Sequence, residues 1–157
     1  MAGMTDSGKL DFGILLLLAE QEFVRGLRAT TAEQGFTDQG RSDGFVLRTL
    51  ADGPTTISGM AERLEITKQG ASQLADDMER RGYVERRPDP SDARVRLLHL
   101  TDRGQAALKA ARKYHQAYER RLRTRFGDQA VDGLRDVLAA MAGESEVITP
   151  HFKALMY

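Results

Sequence analysis

The chain has 157 residues, 41% of them hydrophobic and 29% charged, enough for one globular domain with its own core and unlike a disordered or collagen-like polymer. Lys plus Arg and Asp plus Glu both number 23, so the net charge is zero and any attraction to a polyanion must come from local placement. There is no cysteine, which excludes disulfides, thiolate metal sites, cysteine nucleophiles and thiol-based redox sensing, and suits a reducing cytoplasm.

Residues 1–9 show no basic-then-apolar signal pattern. The apolar run 14–19 is far shorter than the roughly 20 residues of a spanning helix, so a soluble, cytoplasmic chain is expected. From residue 10 to 34 there is no proline, and Leu10, Ile14, Leu17, Leu18, Phe23, Val24 and Leu27 form an apolar stripe with Leu15 and Leu16 outside it. A helix apolar around so much of its girth is expected to meet another subunit as well as its own core; a helix central to a monomer is the alternative. A second helix is predicted over 42–50, burying Phe45, Val46, Leu47 and Leu50 and stopped by Asp52-Gly53-Pro54. Thr56 then suits the N-cap of a short helix over 57–64, in which Ile57, Met60, Ala61 and Leu64 recur at helical spacing. Gly59 stands where a capping-box acid would be, which implies either a close backbone approach or a weak helix start.

After a turn at 65–67, Thr67 is placed to cap a fourth helix over 68–81. Ala71, Leu74, Ala75 and Met78 share one side, leaving Lys68, Gln69, Ser72 and Gln73 on the other. Those four are the donors and acceptors that reading base edges or gripping phosphate requires, whereas the acids Asp76, Asp77 and Glu79 come late, away from a duplex met by the first turns. Gly82 ends the helix, and a hairpin follows: a strand over 83–87, a turn over 88–93 with Pro88 and Pro90 at its open tip, and a strand over 94–100. Arg86, Arg87, Arg94 and Arg96 outnumber Glu85, Asp89 and Asp92 by one. Arginine on a protruding β-turn can enter a minor groove, and Asp92 is expected to hold an arginine in pose rather than face phosphate.

Thr101-Asp102 is predicted to cap a long helix with an apolar seam of Ala107, Ala111, Tyr114, Tyr118, Leu122 and Phe126. Arg112, Lys113, Arg120, Arg121, Arg123 and Arg125 surround that seam. Phe126-Gly127-Asp128 breaks it, and Val131, Leu134, Leu138 and Met141 line a sixth helix. The end, 145–157, carries Val147, Ile148, Phe152, Leu155 and Met156 and is expected to pack on the dimerisation region.

The run Tyr83-Val84-Glu85-Arg86-Arg87-Pro88-Asp89-Pro90-Ser91-Asp92-Ala93-Arg94, leading to Leu100-Thr101, resembles the wing of the multiple-antibiotic-resistance regulator (MarR) family, and Thr67 to Leu74 resembles its recognition helix. The likeness is loose over 10–141 and tight over 60–101. It implies a mainly α winged helix-turn-helix fold with a small β wing, in the order α1-α2-α3-α4-β-β-α5-α6. It also implies an obligate homodimer through the N- and C-terminal helices, with a DNA-binding lobe over 42–101 and a dimerisation lobe over 10–34 and 102–157. Asp92-x-Arg94 matches the family's wing motif, and Ser72 and Gln73 occupy base-reading positions; Ala93, Gly70 and Gly59 depart from the pattern. Together with the reading above, the expected DNA-binding residues are Thr56, Thr67, Lys68, Gln69, Ser72, Gln73, Arg86, Arg87, Asp92 and Arg94.

The resemblance further implies a regulator, a repressor more often than an activator, that binds a near-palindromic operator in double-stranded DNA and is released by a small aromatic or anionic effector. Phe12, Phe45, His115 and Tyr118 are available to an effector cleft, but aromatics at helical spacing are core residues more often than ligand contacts, so the effector residues stay unassigned. No Gly-rich phosphate loop, Gly-x-Ser-x-Gly elbow or His-Glu-x-x-His occurs, so no enzyme and no cofactor are expected. His99, His115 and His151 are too scattered to make a metal site from sequence. A metal-responsive regulator of the same fold, and a winged helix that docks proteins without DNA, remain open as alternatives.

Overall fold

The computed structural model describes residues 10–143, and the expected packing of 145–157 lies outside them. The chain divides into two compact units, one up to Thr37 and one from Asp38 onward. In the first, α1 runs from Phe12 to Ala32, opened by backbone bonds from Ile14 and Leu15 to the Asp11 carbonyl. Near its end the Thr31 hydroxyl donates to the Leu27 carbonyl, and the Phe36 amide folds back onto the Thr31 carbonyl. The N-terminal half of α1 is exposed on every side: Phe12 is 67% accessible, and all of Ile14, Leu15, Leu16, Leu17 and Leu18 exceed a third. Exposed apolar surface of this extent on one helix is uncommon for a protein that stays monomeric.

In the second unit the order is α2 (Asp43–Ala51), α3 (Ile57–Arg63), α4 (Lys68–Arg80), β1 (Val84–Pro88), β2 (Arg96–Leu100), α5 (Asp102–Phe126) and α6 (Asp128–Gly143). This is the mainly helical, two-stranded arrangement expected. Its core gathers Val46, Leu47 and Leu50 from α2, Met60 from α3, Ala71, Ala75 and Met78 from α4, Tyr83, Val84 and Leu98 from the hairpin, and Ala107 and Tyr114 from α5. Each large side chain so buried contributes roughly 1.5–3 kcal/mol. The seam predicted on α5 is buried at Ala107 and Tyr114, half-buried at Ala111, Tyr118 and Leu122, and open at Phe126. Among the residues of α6 whose burial is described, only Val131 is buried; Leu134, Val137, Leu138 and Met141 are exposed.

The hairpin pairs antiparallel from Val84↔Leu100 to Pro88↔Arg96. Both strands begin later than predicted, and Pro88 closes the ladder instead of standing at the tip. The last pair of a two-stranded hairpin tolerates a missing N–H, and the turn is closed instead by Asp89 N–H to the Val95 carbonyl and Val95 N–H to the Asp92 carbonyl, both 2.9 Å. A bridge between Thr55 and Leu98, absent from the sequence reading, attaches the stretch before α3 to the far side of β2.

Two glycines are set by close approach. A Cβ at Gly59 would run into the Thr55 hydroxyl, so of the two readings of this position the close approach is the correct one. A Cβ at Gly104 would strike the Tyr83 carbonyl, which lets the start of α5 lie directly against the strand entry.

Candidate nucleic-acid interface

The Thr56 hydroxyl accepts the Gly59 amide at 3.0 Å and the Thr67 hydroxyl accepts the Gly70 amide at 3.0 Å, so both threonines predicted at the interface are N-caps. Each hydroxyl keeps its own proton free to donate outward. Along α4, Ala71, Ala75 and Met78 face inward, while Thr67, Lys68, Gln69 and Gln73 are exposed and Ser72 is half-buried. Among the described residues Lys68 has no ion-pair partner.

The other end of α4 is electrostatically closed. Asp77 takes Arg80 at 3.0 Å and Arg81 at 2.5 Å, Asp76 takes Arg86 at 2.5 Å, and Glu79 takes the same Arg86 through both its guanidinium and its backbone amide. Every acid of the helix is therefore paired with at least one arginine.

Arg86 is accordingly a bracket from β1 to α4, with its side chain 24% accessible, rather than an outward-facing finger. Burial works against its charge, but Asp76 and Glu79 outweigh that and hold the guanidinium ionised. Sequence alone does not reveal this, because the register that turns Arg86 toward α4 depends on how the strand leaves Gly82. Arg87 is exposed and paired with Glu85 across two residues of its own strand.

At the wing tip Arg94 and Asp92 form a two-pronged pair, both N···O distances 3.0 Å, and the Arg94 amide adds a third bond to Asp92 at 3.1 Å. The Arg94 hydrogen bonds hold the Asp92 carboxyl below the usual carboxylate range. Arg94 is nonetheless 91% accessible, so the pair orients the guanidinium without hiding it. Behind it Asp89 accepts the Ser91 amide and hydroxyl at 2.7 and 2.6 Å, stiffening the turn.

A second cluster carries no sequence motif. Asp43, 1% accessible, receives Arg81 at 2.5 and 3.1 Å and also caps the Gly40 amide. Arg81 reaches on to the Asp38 carbonyl; the Asp38 carboxylate accepts the Tyr83 hydroxyl and Arg103 of α5; and the guanidinium of Arg103 lies 4.7 Å from the centre of the Tyr83 ring. Burial and then the bond to Asp38 push the Tyr83 hydroxyl up to about 12, while that same bond holds Asp38 below its ordinary value. The bonds of Arg81, Tyr83 and Arg103 to Asp43 and Asp38 span 38 to 65 positions of chain and tie the end of α4 to α2 and α5.

Of the residues available to an effector cleft, Phe45, His115 and Tyr118 are half-buried in the second unit and Phe12 is exposed in the first. Burial and then nearby Arg48, 3.5 Å away, hold the His115 imidazole below its usual pKa, which favours the neutral ring. Among the described residues no three of His, Asp and Glu gather as metal ligands.

A sequence profile of the MarR family matches residues 35–95. The HTH-type transcriptional regulator PetP of Rhodobacter capsulatus is 32% identical over 88% of this chain and 90% of its own. Among solved structures, the YusO protein of Bacillus subtilis superposes with a TM-score of 0.63 at 23% identity, covering 88% of this chain and 99% of that one. The transcriptional repressor CouR, solved on a 23-mer DNA duplex, superposes at 0.65 with 28% identity over 90% of this chain and 99% of its own. The fold and family are those of transcriptional regulators: this chain belongs to the MarR family of winged helix-turn-helix DNA-binding proteins.

Proposed function

We propose that two copies of this chain bind one near-palindromic operator, each laying the first turns of α4 in a major groove and the Arg94 tip in the neighbouring minor groove. The observation that carries the reading is the sorting of charge on α4: all three of its acids are paired, while Lys68, Gln69 and Gln73 stand exposed and capped by Thr67. Gln69 and Gln73 carry the paired donor and acceptor that suit adenine, Ser72 suits either base edge or phosphate, and Lys68, Thr56 and Thr67 suit the backbone. Arg87 follows the backbone beside Arg94, Asp92 positions Arg94, and Arg86 acts through its bracing of α4 rather than by contact.

The 42–101 segment is the DNA-reading lobe, and the dimer forms through 10–34 and the helices from 102 onward. The exposed apolar faces of α1 and α6 support this, because a second copy removes them from water. The chain acts in the cytoplasm as a repressor, and an effector releases it by favouring a conformation that holds the two α4 helices at the wrong separation. MepR of S. aureus and CouR, both solved with DNA, share the fold.

Selection of bound duplexes from a random pool at physiological salt tests DNA binding, symmetry and spacing together. The expected product is an inverted repeat with half-site centres about 10 base pairs apart. Enrichment of no sequence, or of unpaired half-sites alone, would refute the reading.

A further inference from the structure

The end of α4, the entry to β1 and the start of α5 converge on one exposed acid. Asp38 lies in the connector between α1 and α2, outside any helix or strand. Its backbone carbonyl accepts Arg81, the residue that closes α4, at 2.7 Å. Its carboxylate accepts the hydroxyl of Tyr83, which precedes β1, and Arg103 from the first turn of α5 at 3.0 Å. The Arg103 guanidinium also donates to the Tyr83 hydroxyl at 3.2 Å, so Asp38, Tyr83 and Arg103 close a triangle in which each member bonds the other two.

At its backbone Tyr83 is pinned to both helices: its amide donates to the Met78 carbonyl at 2.9 Å, and its carbonyl accepts the Thr101 amide at 3.1 Å and lies where a Cβ at Gly104 would stand. The Gly82 carbonyl beside it accepts the Thr101 hydroxyl at 2.6 Å. Attachment at one such point leaves a helix able to pivot about it, and a second attachment away from that point removes the pivot. The triangle at the far end of the buried Tyr83 side chain is that second attachment, with the ring lying 4.7 Å from the Arg103 guanidinium and 5.5 Å from that of Arg81. Asp43 also holds Arg81, but it is buried and its loss falls on folding; Asp38 is exposed, so its loss falls on placement.

We infer that Asp38 is a positioning residue: through Tyr83 it locks α4 and the wing to the start of α5, and so sets how strictly the chain holds one half-site spacing. Arg86 joins the wing to α4, so play at the Tyr83 corner moves both groove readers together against α5. In a two-fold dimer formed in part through α5, that helix belongs to the fixed frame, and a tilt of α4 against it is repeated in both protomers and changes the separation of the two reading helices. Asp38 itself touches no DNA in this arrangement. The effect on spacing rests on the proposed dimeric DNA binding; the attachment of α4 to α5 does not.

The attachment is tested without DNA by the spin-label distance between Gln73→Cys on α4 and Gln116→Cys on α5, both exposed positions in a chain with no cysteine of its own. In full-length labelled chain diluted with unlabelled chain, one narrow distance is expected, and a shifted or broadened one once Asp38→Ala or Tyr83→Phe is added. An unchanged distribution in either variant overturns the inference, whatever happens on DNA. Unlabelled chain is then titrated with the selected operator and with duplexes whose half-site centres are one base pair closer or farther. Preference for the selected spacing should fall about fivefold or more in Asp38→Ala and in Tyr83→Phe, and no further in the double variant, because both cut the same bond. Tyr83→Phe changes no charge at neutral pH, so a loss it shares with Asp38→Ala is not an effect of net charge. Equal weakening on all three duplexes, an unchanged preference, or losses that multiply in the double variant would each overturn the role of Asp38. A parent chain that selects no operator would refute the proposed function alone, and the label distances would still decide the attachment.

Discussion

The two ends of α4 are built to opposite specifications. Its C-terminal end is bound on all sides: Arg81 into buried Asp43, Arg86 into Asp76 and Glu79, with Tyr83, Asp38 and Arg103 behind. Its N-terminal end keeps only the Thr67 cap and leaves Lys68, Gln69 and Gln73 to solvent. A helix that must present side chains to a partner within a fraction of an ångström needs one end immobilised, and here ion pairs at one end do for orientation what cannot be done at the other without covering the reading face. The wing repeats the division: Arg86 at its root is turned inward and Arg94 at its tip outward, though each is held by carboxylate.

The largest expected effect lies at the closed end. Asp43→Ala leaves the largely covered Arg81 without its main partner and should cost about 3–5 kcal/mol in urea unfolding, the range for breaking a buried pair from one side. A cost under about 1 kcal/mol would mean that solvent reaches Arg81 freely and that the closed end is not closed.

Next comes the contrast within the wing. Arg94→Ala should weaken operator binding by about 1–3 kcal/mol and leave the melting temperature within error, since its side chain is 91% accessible. Arg86→Ala should lower folding stability by about 1–2 kcal/mol, because Glu79 and Asp76 lose their common donor. If the two variants instead behave alike in both assays, root and tip are not distinct.

Alkaline pH probes the closed end from another side. Tyr83 keeps its proton to about 12 in the folded chain against 10.0 in the unfolded one, so its contribution is intact below pH 10 and is lost as pH rises toward 12. The loss is on the order of 2 kcal/mol. Tyr83→Phe should remove that part of the pH dependence, measured as the difference between the two unfolding curves. Smallest is the open end's single charge: Lys68→Ala should weaken binding to all sequences alike and reduce the slope of log K against log salt by about 1.

Much of this was legible beforehand. The apolar spacing of Ala71, Ala75 and Met78, with threonines three residues before Gly59 and Gly70, located α3, α4 and the exposed set Lys68, Gln69 and Gln73. Asp92 was expected to hold an arginine, and the arginine it holds is Arg94, two residues on at the same turn. The inward pairing of Arg86 was not legible, because its neighbours in space, Asp76 and Glu79, are seven to ten positions away on another element. The bridge from Thr55 to Leu98 and the cluster around Asp43 left no local pattern at all.

From sequence alone, then, follow the helices, their caps, the hairpin and the family, since periodicity, capping and turn chemistry act over a few residues. Which arginine braces and which is presented was decided only when the chain closed on itself. An ion pair between elements is a relation between distant positions, and its energy depends on burial and separation that no local pattern encodes.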